Sequence, residues 1–240
     1  MTVGKAPHVI LGQEMLKPRD GAEKDEGELT GGKRLVEQLR KRQGHFADVI
    51  VADALYLNAP FINTIKENGL EAVIRLKDEK RLIFQDAEGF FDQGEGKARS
   101  FQRGKKTVEV WDISGFEIEN CPHRLRVVRY HESWQERGKK AERWMWLVTT
   151  LEQTAPEILW EMMNRRWDIE ENGFHQLKTY YHAKHCYGHA AVEVIFNLMI
   201  IGFNMRELYL YQRIQRFEES GITRKSVSRM SEKQISYKNT

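Results

Sequence analysis

The sequence predicts an α/β fold with a partly parallel sheet, and two observations support this prediction. Over the first third of the chain, short apolar runs alternate with amphipathic segments, which is typical of parallel strands joined by helical crossovers. From residue 82 to residue 150, closely spaced strand-like runs alternate with glycines and charged turns, which is typical of antiparallel strands. The 240 residues suffice for one domain with a large insertion or for two small domains.

The elements of the first third follow from apolar periodicity and from residues that end helices. Apolar residues at helical spacing predict a helix over residues 29–42, which Gly44 ends. The β-branched run Val49–Ala52 predicts a buried parallel strand. The other predicted elements are a strand at residues 8–16, a polar loop at 17–27, a helix at 58–68 ended by Gly69, and a strand at 71–77.

The rest of the chain predicts antiparallel strands followed by two helices. Three short runs supply the strands: residues 107–113, 125–130 and 144–149. Thr154 and Pro156 occupy the places of an N-cap and a first-turn proline, so a long helix is expected to begin there. The apolar run at residues 190–205 predicts a buried helix, because Glu193 interrupts it and it is too short to span a bilayer. The domains expected from these changes are residues 1–80, 81–150 and 151–215, with a basic tail at 216–240.

The composition is that of a globular protein from a reducing compartment. The two cysteines, Cys121 and Cys186, are far apart in sequence and give no disulfide framework. The first residues lack the apolar segment of a secretory signal. The net charge of +3 and the pI near 8.7 permit nucleic-acid binding but do not require it.

The most informative stretch runs from Arg165 to Lys178 and reads RRWDIEENGFHQLK. Arg166 stands four residues before Glu170, and residues four apart share a helix face. A carboxylate flanked by fixed cations suits a site where a metal ion meets a phosphate backbone. Judged by charge spacing alone, a salt-bridged helix on the protein surface is the favoured interpretation.

The string Arg-Trp-x-Ile-Glu at residues 166–170 closely resembles the signature of bacterial insertion-sequence transposases of the DDE type, and the resemblance extends over about residues 8–213. It implies a ribonuclease-H-like core with an antiparallel β insertion before the catalytic helix. It also implies DNA cleavage and strand transfer with two Mg²⁺ ions, for which Mn²⁺ can substitute. The implied partners are DNA, as transposon ends and target, and a second copy of the chain in a homodimer on DNA. The expected location is the bacterial cytoplasm, at the nucleoid, without a membrane span.

Asp53 is the first expected catalytic and metal-binding carboxylate. It directly follows the run Val49–Ala52, and ligands of parallel α/β sheets bind outside the carboxyl ends of the strands. Mg²⁺ prefers the oxygen ligands that such an acid offers, but an aspartate that caps the next helix explains the position equally well. The resemblance favours the metal ligand, because the second catalytic aspartate of the family ends such a strand. It also implies a DNA-binding role for Tyr56, which occupies an aromatic position of the family.

Glu170 is the other expected catalytic and metal-binding carboxylate, and Glu171 is the neighbouring alternative. Glu171 lies seven residues before Lys178, which is the glutamate–lysine spacing common in the family. Glu170 instead keeps the Arg-Trp-x-Ile-Glu spacing. The resemblance favours Glu170, and this choice requires one extra residue around positions 172 and 173.

The resemblance also implies DNA contacts. Arg166 and Lys178 are expected to bind phosphates near the transposon end, which positions DNA without reading its sequence; ordinary surface charge is the alternative. Trp144 and Trp146 end the predicted insertion, where some relatives stack a tryptophan on a flipped base. Trp146 is taken as the DNA-binding candidate, although core packing on a strand is the favoured alternative for both. Met163 departs from the family, which often has a tyrosine three residues before the arginine.

The first catalytic aspartate of the family has no evident counterpart in this sequence. In the family it lies on the first strand of the sheet, and this chain is expected to start after that strand, as the C-terminal part of a transposase. Two-metal chemistry requires more carboxylates than Asp53 and Glu170, so the chain is expected to bind DNA without cleaving it unless another acid, Glu14 first, takes part. The alternative function is therefore a catalytically inactive DNA-binding remnant or a regulator of transposition.

Two weaker motifs are set aside. Residues 27–33 nearly match the P-loop of a nucleotide hydrolase, but Arg34 stands where Ser or Thr would bind Mg²⁺. Residues 182–189 contain the residue types of a zinc site in a spacing that matches no standard pattern, so polar packing is expected there.

Overall fold

The computed structural model describes residues 1–4, 6–16, 27–185 and 191–213. Most of the predicted polar loop, the whole predicted basic tail, and both Cys186 and His189 lie outside the described residues. The chain divides into two compact units, one formed by residues 14–166 and the other by residues 1–13 with residues 167–240.

The unit of residues 14–166 is built on a six-stranded sheet. Its elements in chain order are α1 (Glu28–Gln43), β1 (Val49–Ala52), a 3-10 helix (Ala54–Tyr56), α2 (Ala59–Glu67), β2 (Glu71–Leu76), α3 (Leu82–Asp92), β3 (Lys97–Arg103), β4 (Lys106–Phe116), β5 (Leu125–Glu136), β6 (Lys139–Thr149) and α4 (Pro156–Arg165). The strand order across the sheet is β1-β2-β6-β5-β4-β3.

Local residues determine where α1 and α2 begin and end. The Asn58 side chain accepts a hydrogen bond of 2.9 Å from the Phe61 N–H and so caps α2. Gly44 and Gly69 follow the two helices with φ angles of 69° and 71°, a backbone conformation that glycine adopts without a steric penalty. Both helices therefore lie where apolar periodicity predicts them.

The sheet combines one parallel pair of strands with an antiparallel ladder. Strands β1 and β2 are parallel, with Val51 opposite Val73, and α2 is the crossover between them. Strand β6 pairs antiparallel with β2, and β3 to β6 pair antiparallel in succession. The strands predicted between residues 107 and 149 are thus present, and they extend the same sheet as the parallel pair. Their origin as an insertion into a ribonuclease-H-like core stays a prediction.

Each face of the sheet is covered by helices. One face packs against α1, α2 and α3, in a core that includes Phe61, Ile74 and Phe84. The other face packs against α4, whose Leu159 and Met163 lie in a second core with Val73, Tyr130 and Leu147. Because strand side chains alternate between the two faces, successive residues such as Val73 and Ile74 join opposite cores.

Helix α3 corrects the expectation of strands from residue 82 onward. Its buried residues Ile83, Phe84, Ala87 and Phe91 follow helical spacing, whereas Leu82 and Phe90 are apolar but exposed. These exposed apolar residues blur the helical pattern in the sequence.

The start of α4 also differs in detail from the expectation. Pro156 is in the first turn as predicted, but Ala155 occupies the N-cap position and makes no side-chain cap. The carbonyl of Thr154 instead accepts a hydrogen bond of 2.6 Å from the buried Arg126 guanidinium, which also binds the carbonyls of Leu151 and Glu152 and the Asp112 carboxylate. Arg126 of β5 therefore stabilises the turn before α4, for which the sequence predicted a threonine cap.

The second unit contains a π-helix (Ile169–Phe174), α5 (His175–Tyr180) and α6 (Val192–Arg213). The segment at residues 8–16 is irregular and not the predicted strand. The Asn204 side chain of α6 binds both the N–H and the carbonyl of Ile10, at 2.8 and 2.9 Å, in place of a strand neighbour. Because a side chain of α6 satisfies these backbone groups, they need no neighbouring strand. The strand prediction, which rested on apolar character alone, was therefore wrong.

Helix α6 is present as predicted but is not buried throughout. Ile200, Phe203 and Leu210 are buried, whereas Leu198, Ile201 and Met205 are more than half exposed, at 61%, 53% and 66%. Among the described helices, none combines the length and the apolar character needed to cross a bilayer.

Candidate active site

Asp53 lies at the carboxyl edge of the parallel strand pair. It follows the last residue of β1, and Lys77 follows the last residue of the neighbouring β2. The Asp53 Oδ1 atom accepts a hydrogen bond of 2.8 Å from the Ala54 N–H, and Lys77 Nζ lies 3.5 Å from the same oxygen. The Asp53 side chain is 41% exposed, so it both caps the 3-10 helix and remains accessible to a ligand.

The Asp53 carboxyl is ionised at neutral pH. Partial burial would raise its pKa, but the hydrogen bond from Ala54 and the positive charges of Arg166 and Lys77 outweigh burial and hold the pKa below its ordinary value. A carboxylate that stays charged in this position has the chemistry of a divalent-cation ligand. The two explanations left open by the sequence, cap and ligand, are therefore compatible.

Strand alternation places charged residues beside Asp53 on the α4 face of the sheet. Val51 and Val73 belong to the core under α4, so Asp53 and Arg75, two positions further along each strand, continue the same face. On β6, Arg143 precedes the buried Met145 by two positions and donates to the Asn164 side chain of α4 at 2.9 Å. The apolar core thus ends in a polar cluster at the C-terminal end of α4.

The fully buried Glu132 anchors one side of this cluster. Lys106 Nζ donates to it at 2.8 Å, Trp160 Nε1 donates at 3.1 Å, and Arg143 donates to its Oε1. Burial would raise the pKa of Glu132, but the bonds from Arg143 and Lys106 outweigh it and lower the pKa. These contacts tie β4, β5, β6 and α4 together.

Arg75 and Arg166 bring further positive charge. Arg166 is 9% exposed at the C-terminal end of α4, and Arg75 is half-buried within β2. Burial and the nearby charges of Arg143 and Arg166 lower the pKa of Arg75, while Asp53 acts in the opposite direction. The sequence prediction included Arg166 and missed Arg75, Lys77, Arg143 and Glu132. A charged residue inside the apolar run of β2 was the available signal for Arg75.

Glu170 and Lys178 belong to the second unit, and both side chains are exposed. Glu170 and the exposed Glu171 lie in the π-helix, and Lys178 lies in α5 with its Nζ 6.0 Å from the centroid of the Phe174 ring. Because Asp53 and Glu170 lie in different units, their convergence on one metal site stays a prediction.

The π-helix gives a physical account of the extra residue expected around positions 172 and 173. Lys178 lies eight positions after Glu170, which in an α-helix of about 100° per residue would turn it about 80° away. A π-helical turn takes up one more residue, so the pair regains the angular relation of residues seven apart. This geometry is compatible with Glu170 as the ligand and leaves Glu171 as the alternative.

The aromatic candidates differ in accessibility. Trp146 is 8% exposed and packs against the rings of Phe84 and Phe91, at centroid distances of 4.3 and 5.5 Å. This placement corrects the DNA-binding assignment of Trp146 in favour of core packing, because its ring faces are covered. Trp144 is 47% exposed and stacks on His131.

Tyr56 is engaged in a hydrogen bond. Its hydroxyl donates to Glu28 at 2.9 Å, and burial together with this acid raises the pKa of Tyr56 to about 12. A DNA contact by Tyr56 would have to compete with Glu28 and stays a prediction.

The described residues contain no group of three or more acidic, histidine or cysteine side chains that could hold a metal ion. Glu14, the acid considered first as an additional ligand, accepts a hydrogen bond of 2.6 Å from Arg34 Nε. Among the described residues of the unit 14–166, Asp53 fits a metal ligand by its charge, its exposure and its place at the strand ends.

A comparison with models of protein families assigns the chain to a family. The family model of the transposase DDE domain matches residues 15–205, which is more than half of the chain. The chain belongs to this family. The match covers both Asp53 and Glu170, and it identifies the protein as a member of a group that acts on DNA in transposition. No curated protein matches the chain.

Proposed function

We propose that this protein is a DDE transposase domain whose reaction is DNA cleavage and strand transfer, with Asp53 and Glu170 as two of its metal-binding carboxylates. The reaction needs a further acid beside these two, as expected from the sequence. The observation that carries the proposal is Asp53, an ionised and accessible carboxylate at the carboxyl ends of parallel strands within fixed positive charge. This arrangement suits a site where a metal ion meets a phosphodiester.

In this proposal the acidic residues bind the metal ions and the basic residues bind DNA phosphates. Asp53 and Glu170 would hold Mg²⁺ or Mn²⁺, which when bound supplies Lewis-acid stabilisation of the oxygens around the reacting phosphorus. Arg166 and Lys178 bind DNA phosphates and position the strand without reading its sequence. Lys77 compensates the Asp53 charge, and a bound cation would take over that role. A homodimer on DNA is part of the proposal.

A second candidate is a DNA-binding protein without nuclease activity. Glu132 is compensated by Lys106 and Arg143, which leaves Asp53 as the carboxylate facing the charges of Arg166 and Lys77. A cluster with this surplus of positive charge attracts phosphate whether or not a metal is bound.

The test is cleavage and joining of a plasmid that carries the DNA flanking the gene of this protein, in Mg²⁺ and in Mn²⁺. Nicked or joined products that disappear in Asp53→Asn and persist in Asp86→Asn, which changes an exposed acid of α3, support the enzyme. DNA binding without products in either metal supports the second candidate. A chain that does not bind DNA contradicts both.

A further inference from the structure

We propose that the tips of two β-hairpins form a separate DNA-binding surface, an inference that rests on the proposed function. Residues 103–106, at the turn between β3 and β4, read Arg-Gly-Lys-Lys, and residues 137–140, at the turn between β5 and β6, repeat the same string. We call these two segments together the hairpin-tip patch. Its ligand would be the sugar–phosphate backbone of a DNA duplex, at a distance from the bond that is cut.

The sheet brings the two tips together. Strands β4 and β5 are antiparallel neighbours, and Thr107 near the start of β4 lies opposite Ser133 near the end of β5. The turn before β4 and the turn after β5 therefore lie side by side at the same edge of the sheet. Two basic strings that are distant in sequence thus form one surface.

Half of the basic residues in the hairpin-tip patch lack an acidic partner. Three of them form ion pairs: Arg103 with Glu161, Lys106 with Glu132, and Lys140 with Glu142. The other three, Lys105, Arg137 and Lys139, are exposed and form no ion pair with a described residue. Glu136 lies opposite Lys139 in the hairpin but is not within ion-pair distance of it. Because the remaining positive charges repel one another, a polyanion that bridges the two turns would stabilise them.

The backbone at Arg137 supports a role for its side chain. Arg137 and Gly138 form the two-residue turn between β5 and β6, with φ angles of 49° and 78°. A turn with positive φ at both positions favours glycine, asparagine or aspartate, so an arginine at the first position carries backbone strain. Turn geometry therefore does not account for this arginine, whereas contact with an anion does.

The hairpin-tip patch projects from the same edge of the sheet as Asp53. Strand β6 is antiparallel to β2, and its Trp146 lies opposite Leu76, the last residue of β2. Lys139 precedes Trp146 by a stretch of strand about 24 Å long, which corresponds to about seven base pairs of B-DNA. A duplex whose reacting phosphodiester lies at Asp53 therefore reaches the patch within one helical turn.

The experiment uses the full chain and measures Kd for a fluorescent DNA duplex by anisotropy, without metal, over a range of salt concentrations. The tip variant, Lys105→Gln with Lys139→Gln, is expected to weaken binding about tenfold and to reduce the salt slope by about two ions. The matched control, Lys41→Gln with Arg42→Gln, removes two exposed positive charges from the end of α1, at the opposite edge of the sheet. Its Kd is expected to stay within about twofold. Equal Kd values and slopes for the two variants would overturn the proposal.

Two single variants on the second turn separate DNA binding from folding. Arg137→Gly removes a charge and relieves the strained turn, so it should weaken DNA binding while its Tm stays the same or rises. Glu136→Gln removes the acid beside the patch and should strengthen DNA binding about twofold. If both variants bind DNA with the original Kd, the patch is not a DNA-binding surface.

The plasmid assay distinguishes this inference from the proposed function. If plasmid products form and the tip variant binds DNA as well as the control does, the function stands and this surface is wrong. If the tip variant loses binding relative to the control but the original chain gives no products in either metal, the surface stands and the enzyme is refuted. An original chain that binds no DNA contradicts both.

Discussion

At the scale of the residue, one buried carboxylate organises the polar end of the α4 core. Glu132 is fully buried and receives hydrogen bonds from Lys106, Arg143 and Trp160, while Arg143 also binds Asn164. A buried ion pair is weak evidence of net stabilisation, but removing one partner leaves the other charges uncompensated. Glu132 therefore fixes the positions of Lys106 and Arg143 at this end of the core.

Replacing Glu132 by Gln is expected to lower the free energy of unfolding by about 3 kcal/mol, because Arg143 and Lys106 lose their charged partner. Urea denaturation at pH 7 measures the change. Glu136→Gln, which alters an exposed acid on the same strand, is the control and should stay within about 0.5 kcal/mol. A change at Glu132 no larger than the control would contradict this role.

The same residue predicts a pH dependence. The folded-state pKa of Glu132 lies below its ordinary value of 4.5, so its ion pairs contribute stability that is fully present above that pH. This stability is lost as the pH falls through the folded-state pKa. Urea midpoints between pH 7 and pH 3 should therefore fall more steeply in the original chain than in Glu132→Gln. Parallel curves would show that Glu132 is not responsible.

At the scale of the element, the sequence predicts α1, α2, β1 and β2 well because local residues define them. Apolar periodicity identifies the buried face of each element, Asn58 caps α2, and Gly44 and Gly69 end the helices. Tertiary contacts decide the elements that were missed. Leu82 and Phe90 of α3 are apolar yet exposed, and the segment at residues 8–16 pairs with a side chain of α6 in place of a strand.

The residues of the candidate site show the same difference between what local sequence predicts and what tertiary contacts decide. Asp53 was predictable because it directly follows a recognisable strand, and Arg166 because it belongs to a familiar string of residues. Arg75 and Glu132 were not, because their importance depends on which charges the sheet register and α4 bring near them. For Trp146 the sequence favoured core packing but could not show what covers the ring, because the residues of α3 that supply Phe84 and Phe91 were expected to form strands.

The junction between α3 and β3 predicts a backbone effect. Gly96 has a φ of 69°, and a Cβ built there would lie 2.9 Å from the backbone oxygen of Asp112 and 2.6 Å from Ile113 Cγ1. Gly96→Ala is therefore expected to destabilise the protein by about 2 kcal/mol or more. The control Gly94→Ala has a φ of 89° but no atom within 4 Å of its Cβ, so it carries backbone strain without a clash. Thermal unfolding should rank Gly96→Ala below Gly94→Ala, and the reverse order would refute the contact.

At the scale of the whole molecule, the two proposed carboxylates come from separate compact units. Asp53 lies in the unit of residues 14–166, and Glu170 lies in the unit that contains the π-helix. Two-metal catalysis needs carboxylates within reach of ions about 3.5–4 Å apart. The central claim is therefore that both residues bind the same metal site.

The most direct test is a titration of the DNA-bound chain with Mn²⁺, followed by electron paramagnetic resonance. Asp53→Asn and Glu170→Gln are each expected to weaken Mn²⁺ binding about tenfold or more, and the double variant no further, because ligands of one site are not additive. Glu171→Gln is the control and should stay within about twofold of the original chain. Independent, additive losses at Asp53 and Glu170, an effect at Glu171 in place of Glu170, or no Mn²⁺ binding by the original chain would contradict the claim.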